Sequence, residues 1–180
     1  NIYKIVDSYF NIIAKYLNIA DEDKIAYVME KPNPVEFRNK LKDGIHIIFP
    51  NIIIANNAQH FIRRKIIDIC DIIFKDLPIC NDYESIIDKA IIDINCWQMY
   101  GSKKPNSEAY KVTQLYRFNI ATQSITEQLT DALNEAELVE TLSIRNKYDD
   151  NKVKIEKSNE VKEFEQILLQ ARKKKREMDS

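Results

Sequence analysis

This chain lacks long hydrophobic runs, paired cysteines and an N-terminal leader pattern, and each absence excludes a class of protein. Its apolar runs, such as 45–49, are far too short to cross a bilayer. The start, Asn1-Ile-Tyr-Lys4, has no basic region followed by a long apolar one, so no signal peptide is recognised. Cys70, Cys80 and Cys96 show no CxxC spacing and no pairing with histidine, which argues against zinc ligands and a disulfide framework. They are expected to be reduced thiols or small core residues.

The composition is that of a soluble globular protein, with 44% hydrophobic and 31% charged residues. A length of 180 residues suffices for one domain with a real core, or for a domain with a helical extension. The net charge is −1, so any surface that binds nucleic acid must be a local basic patch.

Hydrophobic periodicity predicts helices and strands interspersed along residues 1–120. Apolar residues recur at helical spacing over 2–17, and again from a cap at Asn56 or Asn57 to about Phe74. Short β-branched or alternating runs predict strands over 25–29, 45–49 and 109–116. The predicted fold class is α+β (or α/β), with a mixed β-sheet and packed helices.

The remainder of the chain is predicted to be helical. The capping-box pattern Ser124-Ile-Thr-Glu127 predicts a helix over 124–142, and a charged linker follows at 146–157. Ser158 is expected to cap a last helix over 158–176, which ends in the basic run Arg172-Lys-Lys-Lys-Arg176. Cations at a helix C-terminus are favoured by the helix dipole, and a nucleic-acid contact is the alternative interpretation of this run.

A first candidate for chemistry is the stretch Asp88–Pro105. It begins with a carboxylate before an apolar run expected to be a buried strand, and it closes on Gly101, Ser102 and two lysines. A carboxylate can hold a cation while amide, hydroxyl and ammonium groups meet a phosphate. The simpler interpretation is an edge strand followed by a surface turn.

The second candidate is the segment Lys42–Pro50, which contains His46 in the middle of a predicted strand. Alternation along that strand puts Gly44 and His46 on one face, where the glycine permits close approach of a ligand. An imidazole there can donate to a phosphate oxygen. A histidine between isoleucines can equally be a satisfied core residue. His60, near the start of a predicted helix, is expected to be structural or exposed.

These segments, with a third, resemble a known family. Three pieces occur in order between about Tyr27 and Tyr116: Lys42-Asp-Gly-Ile-His-Ile-Ile-Phe-Pro50, then Asp88 followed by Trp97-Gln-Met-Tyr-Gly-Ser-Lys-Lys-Pro105, then Tyr110-Lys-Val-Thr113. Together they resemble the primase domain of giant-virus primase–helicases. These proteins belong to the archaeo-eukaryotic primase superfamily and are related to the poxvirus NTPase/primase.

The resemblance implies a DNA primase, a nucleotidyltransferase that makes primers on a single-stranded DNA template. Mg²⁺ or Mn²⁺ held by carboxylates would align an incoming nucleoside triphosphate against a 3′-hydroxyl or a second nucleotide. His46, preceded by Gly44, would contact the phosphates, and Ser102 and Lys103 match the phosphate-facing turn of the family.

The metal-binding aspartate of the family matches Asp88, which lies seven residues before Asn95, with Asp93 as the runner-up. His46 and Asp88 are then expected on neighbouring strands, facing a shared cleft with Lys103 at its rim.

Two departures from the family pattern affect the site. The paired acidic residues that should precede His46 on a strand are not found, so they are expected to lie before Asn1 in a longer protein. The chain alone would then bind nucleoside triphosphate weakly and make no primers. Gln98 stands where relatives often carry arginine, which removes one possible phosphate contact.

The resemblance also implies an organisation and a setting. Residues 1–120 would be the C-terminal portion of the catalytic domain, and 121–180 a helical extension and linker toward a helicase domain in the same full-length chain. The protein would act at the viral replication site of the host cell, in a cytoplasmic factory, without membrane association. The alternative is a non-catalytic nucleic-acid-binding or replisome-interaction module on the same fold.

Overall fold

The computed structural model describes residues 2–21, 24–94, 97, 99–105, 107–130, 133–143 and 155–179. In chain order the elements are α1 (Ile2–Tyr16), β1 (Leu17–Asn18), β2 (Ile25–Glu30), β3 (Val35–Phe37), β4 (Lys40–Lys42), β5 (Ile45–Ile48), α2 (Asn56–Ile67), α3 (Cys70–Ile73), α4 (Tyr83–Ile86), α5 (Ala90–Asp93), β6 (Lys111–Asn119), β7 (Ser124–Gln128), α6 (Glu135–Thr141), β8 (Glu156–Lys157) and α7 (Asn159–Met178). The chain divides into two compact units. Unit 1 comprises Asn1–Ile19, Ile53–Asn95 and Lys154–Ser180, and unit 2 comprises Ala20–Ile52 and Cys96–Val153.

Unit 1 is mainly helical, and α2 packs against both α1 and α7. The apolar stripe of α1 is buried, as its 3.6-residue periodicity predicts. Tyr16 meets Phe61 of α2 edge to face, with ring centroids 4.9 Å apart. Phe61 in turn contacts Phe164 of α7 at 5.5 Å, and Val161 is fully buried. These rings form the helical core of this unit.

Unit 2 is built on a four-stranded sheet in the order β5-β2-β6-β7. The strand pairs among the described residues are all antiparallel. In the register, Met29 of β2 lies opposite His46 of β5. The Met29 side chain is fully buried and packs against Leu138 and Leu142, which follow the last strand of the sheet in sequence. The pairing of β2 with β6 shifts between Val28 and Met29, where the register skips Thr113 of β6. The sheet therefore fixes the place of His46 through its central strand.

The structure confirms the α+β class and most of the predicted elements. The predicted strands correspond to β2, β5 and β6, and the predicted helices at 2–17 and 158–176 correspond to α1 and α7. The predicted cap of α7 is also present, because the Ser158 hydroxyl accepts a hydrogen bond from the Val161 amide at 3.4 Å.

The helix predicted over 124–142 is wrong in its first part. Residues Ser124–Gln128 form β7, which pairs with β6, and only Glu135–Thr141 is helical. The Ser124 hydroxyl lies 2.9 Å from the Thr122 hydroxyl in the hairpin turn, where Gln123 has a φ of 49°. The capping-box pattern is a local signal, and ladder pairing with a neighbouring strand overrides it here.

The buried strand predicted after Asp88 is also wrong. Ala90–Asp93 forms one helical turn, so Asp88 and His46 do not lie on neighbouring strands. A short apolar run satisfies helical and strand patterns equally, which explains the error. The helix predicted to Phe74 is interrupted between Ile67 and Cys70, and its N-cap position is occupied by Ala55 without a side-chain cap.

Some predictions concern parts of the chain that the structure leaves undescribed. Asn95, Gln98 and residues 146–154 of the charged linker lie outside the described residues. The domain boundary near residue 120 stays a prediction. Among the described helices none is long and apolar enough to span a bilayer.

Candidate functional site

His46 lies where the central strand β2 pairs with its two neighbours. Glu30, the last residue of β2, pairs with Ile45 on one side and with Lys111 on the other. Lys31, Gly44 and Tyr110 lie immediately next to these paired residues, one at the end of each strand. The sheet register therefore brings three residues from distant parts of the sequence to one end of β2, next to His46.

Two aromatic rings enclose the His46 imidazole. Tyr110 stacks on it with centroids 4.0 Å apart and ring planes 16° apart. Trp97 approaches at 6.1 Å with planes at 75°. The Tyr110 hydroxyl oxygen also lies 3.4 Å from the position that a Cβ atom on Gly44 would take. Gly44 and His46 thus both face Tyr110, as strand alternation predicts.

The imidazole is neutral in this environment. Burial lowers the pKa of His46 from its ordinary value, and the positive charges of Lys104 and Lys31 lower it further. The Nδ1 atom is buried and has no hydrogen-bond partner among the described residues. A deprotonated Nδ1 avoids burying an unpaired N–H donor, so we assign the proton to Nε2. His46 therefore offers one N–H donor, and the positive charge of the site resides on lysines.

Lys31 is held over the ring that stacks on His46. Its Nζ atom lies 5.3 Å from the centroid of Tyr110 and donates to the Ser107 hydroxyl at 2.7 Å. Cation–π and hydrogen-bond contacts of this kind restrict a flexible ammonium group. Burial raises the pKa of Tyr110, and the nearby charge of Asp43 raises it further, so this hydroxyl stays protonated. A neutral donor, a phenol and two ammonium groups form an environment that suits a phosphate.

The predicted phosphate-facing turn is present, but its hydroxyl is engaged locally. The Ser102 hydroxyl donates to the Met99 carbonyl at 2.6 Å, and the Ser102 amide donates to the same oxygen at 3.0 Å. Gly101 adopts a φ of 74°, which a turn of this kind favours in glycine. Lys103 is exposed, and Lys104 rather than Lys103 acts on the charge of His46. The phosphate-binding roles of Gly44, Ser102 and Lys103 stay predictions.

Asp88 lies in unit 1, at the surface. One oxygen, Oδ1, accepts from the Ala90 amide at 2.8 Å. The preceding residue, Ile87, is fixed by the buried Arg63, whose Nε donates to the Ile87 carbonyl at 2.5 Å. Arg63 also donates through Nη2 to the carbonyl and carboxylate of Glu84, at 2.8 and 2.6 Å. Asp88 therefore emerges from an anchored segment, and its predicted cleft with His46 stays a prediction.

Asp93, the runner-up, is already engaged by three neighbours in unit 1. Its Oδ2 lies 2.6 Å from Nε2 of His60, and its Oδ1 accepts from Asn56 at 3.2 Å. The Arg172 guanidinium is 3.7 Å from Oδ1. Burial by itself raises the pKa of Asp93. The hydrogen bonds from His60 and Asn56 and the charges of His60 and Arg172 together outweigh burial, so the pKa lies below its ordinary value. Asp93 is thus engaged by its neighbours, and the choice between Asp88 and Asp93 as metal ligand stays a prediction.

Sequence reasoning did not select Lys31, Lys104, Trp97 or Tyr110 as site residues. Trp97 and Tyr110 lie inside the family-like pieces, so the resemblance could have indicated them. Lys31 follows β2 in a proline-containing loop, and its place beside Tyr110 depends on strand register. No local pattern reveals that register.

The metal implied by the resemblance does not find a complete ligand set in the described residues. They contain no group of three or more His, Cys, Asp or Glu side chains placed to hold a metal ion. Sites for Mg²⁺ or Mn²⁺ need several converging oxygen ligands, and Asp88 supplies at most one carboxylate.

Comparisons with known proteins identify the family of the chain. Residues 1–116 match the family described as "C962R protein N-terminal AEP domain", where AEP denotes archaeo-eukaryotic primase. The chain is 35% identical over 118 residues to the protein named "Putative helicase L207/L206" of Acanthamoeba polyphaga mimivirus. That match covers 64% of this chain and 12% of the mimivirus protein, so the chain spans only a small part of its relative. No solved structure gives a significant match. The family match extends over more than half of the 180 residues, and the chain therefore belongs to the C962R-type family of archaeo-eukaryotic primase domains.

Proposed function

We propose that this chain is the nucleotide-binding part of a viral primase–helicase that synthesises primers by nucleotidyl transfer on a DNA template. The observation that carries the proposal is the enclosed, neutral His46, stacked on Tyr110 beside the restrained ammonium of Lys31. The name of the mimivirus relative supports a helicase region in the same full-length chain. Its place of action would be the viral replication site in the host cell, in a cytoplasmic factory.

The residues of the site have separate roles in this proposal. The Nε2–H group of His46 donates a hydrogen bond to an oxygen of the triphosphate. Lys31 and Lys104 supply positive charge that compensates the negative charge of the phosphates. Hydrogen bonds to charged groups are each worth about 1.5–3 kcal/mol, so loss of one such contact weakens binding measurably. Lys103 and the Ser102 turn, with Gly101 and Gly44 close by, would complete the surroundings of the phosphates. These groups bind and orient the nucleotide.

The transfer step requires more than these residues. Mg²⁺ or Mn²⁺ would supply charge neutralisation at the reacting phosphate when bound. Asp88 would be one ligand, with Asp93 as the runner-up, and further carboxylates would come from elsewhere in the full-length protein. The described residues do not form that metal site by themselves.

Nucleotide binding tests the proposed site directly. Calorimetry of the 180-residue chain with a nucleoside triphosphate should give weak binding, which His46→Ala should reduce at least fivefold. Lys104→Gln should weaken binding more than Lys103→Gln, since the charge of Lys104, and not that of Lys103, contributes to the lowered His46 pKa. The two lysines are adjacent and exposed, so they form a matched pair. Equal effects, or unchanged binding in His46→Ala, would contradict the assignment.

Primer synthesis tests the reaction. A chain extended N-terminally to include the expected acidic pair should make primers with Mg²⁺ or Mn²⁺, whereas the 180 residues alone should not. In the extended chain Asp88→Asn should abolish synthesis, because removing one ligand disturbs orientation and charge stabilisation together. Full activity of Asp88→Asn with loss in Asp93→Asn would move the ligand role to Asp93. An extended chain that binds DNA yet never makes primers would favour the non-catalytic module.

A further inference from the structure

The last helix, α7, differs in its two halves. Its first half is attached to unit 1 through buried Val161, the contact of Phe164 with Phe61, and the ion pair between Lys157 and Glu165 at 2.8 Å. From residue 169 to 178 each side chain is exposed. A helix rises 1.5 Å per residue, so these ten positions extend about 15 Å. The second half of α7 is therefore exposed to solvent, while the first half is fixed by packing against unit 1.

The exposed half carries five successive cations, Arg172 to Arg176. Arg172 is directed to unit 1, where it lies 3.7 Å from Asp93. No salt bridge connects the four cations at 173–176 to a carboxylate within the described part of the chain. Four cations without such a bridge thus lie within little more than one helical turn, and the carboxylates of Glu177 and Asp179 follow them in the sequence.

The helix dipole does not account for this concentration of charge. The dipole acts within the last turn, where only Lys175 and Arg176 provide the basic side chains. Lys173 and Lys174 precede that turn. Glu177 and Asp179 beside the run, with Asp93 near Arg172, offset three of its five positive charges and leave an excess of two. A polyanionic partner would supply the remaining counter-charge.

We infer that the basic end of α7, defined as Lys173–Arg176, binds the phosphate backbone of nucleic acid. The residues from 165 to 178 include no aromatic side chain on which an exposed base could stack. Contact is therefore with phosphates and independent of base sequence. Duplex DNA, which carries the denser line of phosphates, should bind at least as tightly as a single strand.

A lipid surface fits this helix less well. Ile167 and Met178 are exposed apolar residues, but helical spacing places Lys174 between them on the same face. Insertion of that face into a bilayer would bury a charge. The inference does not depend on the proposed nucleotide site, because α7 belongs to unit 1 and His46 to unit 2.

Fluorescence anisotropy with labelled 20-base-pair DNA and a 20-nucleotide single strand tests this surface. The variant K173Q/K174Q/K175Q/R176Q keeps good helix-forming residues and removes four charges. Its affinity for duplex should fall at least tenfold at low salt. The slope of log affinity against log salt should decrease by about 3 to 4, since each lost phosphate contact contributes about 0.9.

The control K40Q/R64Q/K75Q/K162Q removes the same charge from four scattered exposed positions. It should retain most of the affinity, because its lost charges are scattered and not clustered on α7. Circular dichroism checks that each variant keeps its helix content. The inference is overturned if the control loses as much affinity as the run variant, or if the parent chain binds no DNA. The inference is also overturned if the run variant loses binding to phosphatidylserine vesicles but keeps its affinity for DNA.

Discussion

The Tyr110 ring lies face to face with the His46 imidazole, with centroids 4.0 Å apart and planes within 16° of parallel. This stack covers one face of the imidazole and helps to exclude water from it. Because burial is the largest cause of the lowered His46 pKa, we expect this ring to contribute to the lowering.

The first prediction concerns this stack. Tyr110→Ala should raise the His46 pKa toward 6.5, because water then reaches the imidazole. Tyr110→Phe keeps the ring and should change the pKa much less. NMR titration of the His46 Cε1 proton measures both, with His60 as the internal reference. A similar shift in the two variants would show that the phenol hydroxyl, and not the ring, controls the imidazole.

Acid should destabilise the protein partly through His46. The pKa of His46 in the folded chain lies below 6.5. As the pH falls from 6.5 to that folded pKa, the unfolded chain therefore binds a proton at His46 that the folded chain does not bind. The free energy of unfolding therefore decreases from pH 6.5 down to the folded pKa and then stops changing on this account. The charged and titratable groups facing the imidazole are the ammonium groups of Lys31 and Lys104 and the phenol of Tyr110.

Urea unfolding of the parent and of His46→Gln at pH 7.5 and 5.5 measures this contribution. The parent should lose more stability than the variant on acidification. Comparing the two proteins cancels the contribution of the carboxylates that both contain. Equal losses would assign the acid sensitivity elsewhere.

The two glycines should respond differently to alanine. Gly44 has no positive φ, and an added Cβ would lie 3.4 Å from the Tyr110 hydroxyl, an ordinary contact. Gly44→Ala should therefore be neutral or stabilise by up to about 1 kcal/mol, by restricting the unfolded chain. Gly101 has open space around it but a φ of 74°, so Gly101→Ala should destabilise by about 1 kcal/mol. Urea unfolding compares the two, and a reversed order would contradict the backbone argument.

Arg63 and Arg64 form a matched pair for the segment that leads to Asp88. Arg63 is buried and donates three hydrogen bonds to Glu84 and Ile87, whereas Arg64 is exposed. Arg63→Met leaves two backbone carbonyls without their donor and should cost about 2 kcal/mol or more. Most of this cost comes from the carbonyls, because the Glu84 side chain is 66% exposed and its ion pair is screened.

Arg64→Met should change stability by no more than about 0.5 kcal/mol, as surface substitutions commonly do. Thermal and urea unfolding of both variants provide the comparison. A loss in Arg64→Met as large as that in Arg63→Met would show that the arginine network is not what anchors this segment.

The sequence alone determined the long amphipathic helices, the central strands and the shared face of Gly44 and His46. These features depend on local periodicity, which persists in any fold that buries one face of an element. The family assignment was also accessible, since the motif pieces occur within contiguous segments. The same local reasoning failed where signals were short, at the helical turn Ala90–Asp93 and at strand β7.

Only the tertiary structure decided which side chains surround His46. Lys31 and Tyr110 are separated by 79 positions in the sequence, yet Glu30 pairs with residues adjacent to both Gly44 and Tyr110. That arrangement depends on the antiparallel order β5-β2-β6 and on the register shift at Thr113 of β6, which long-range hydrogen bonding and core packing select together. The free energy that fixes such a register is shared among many residues, and no single segment of sequence contains it.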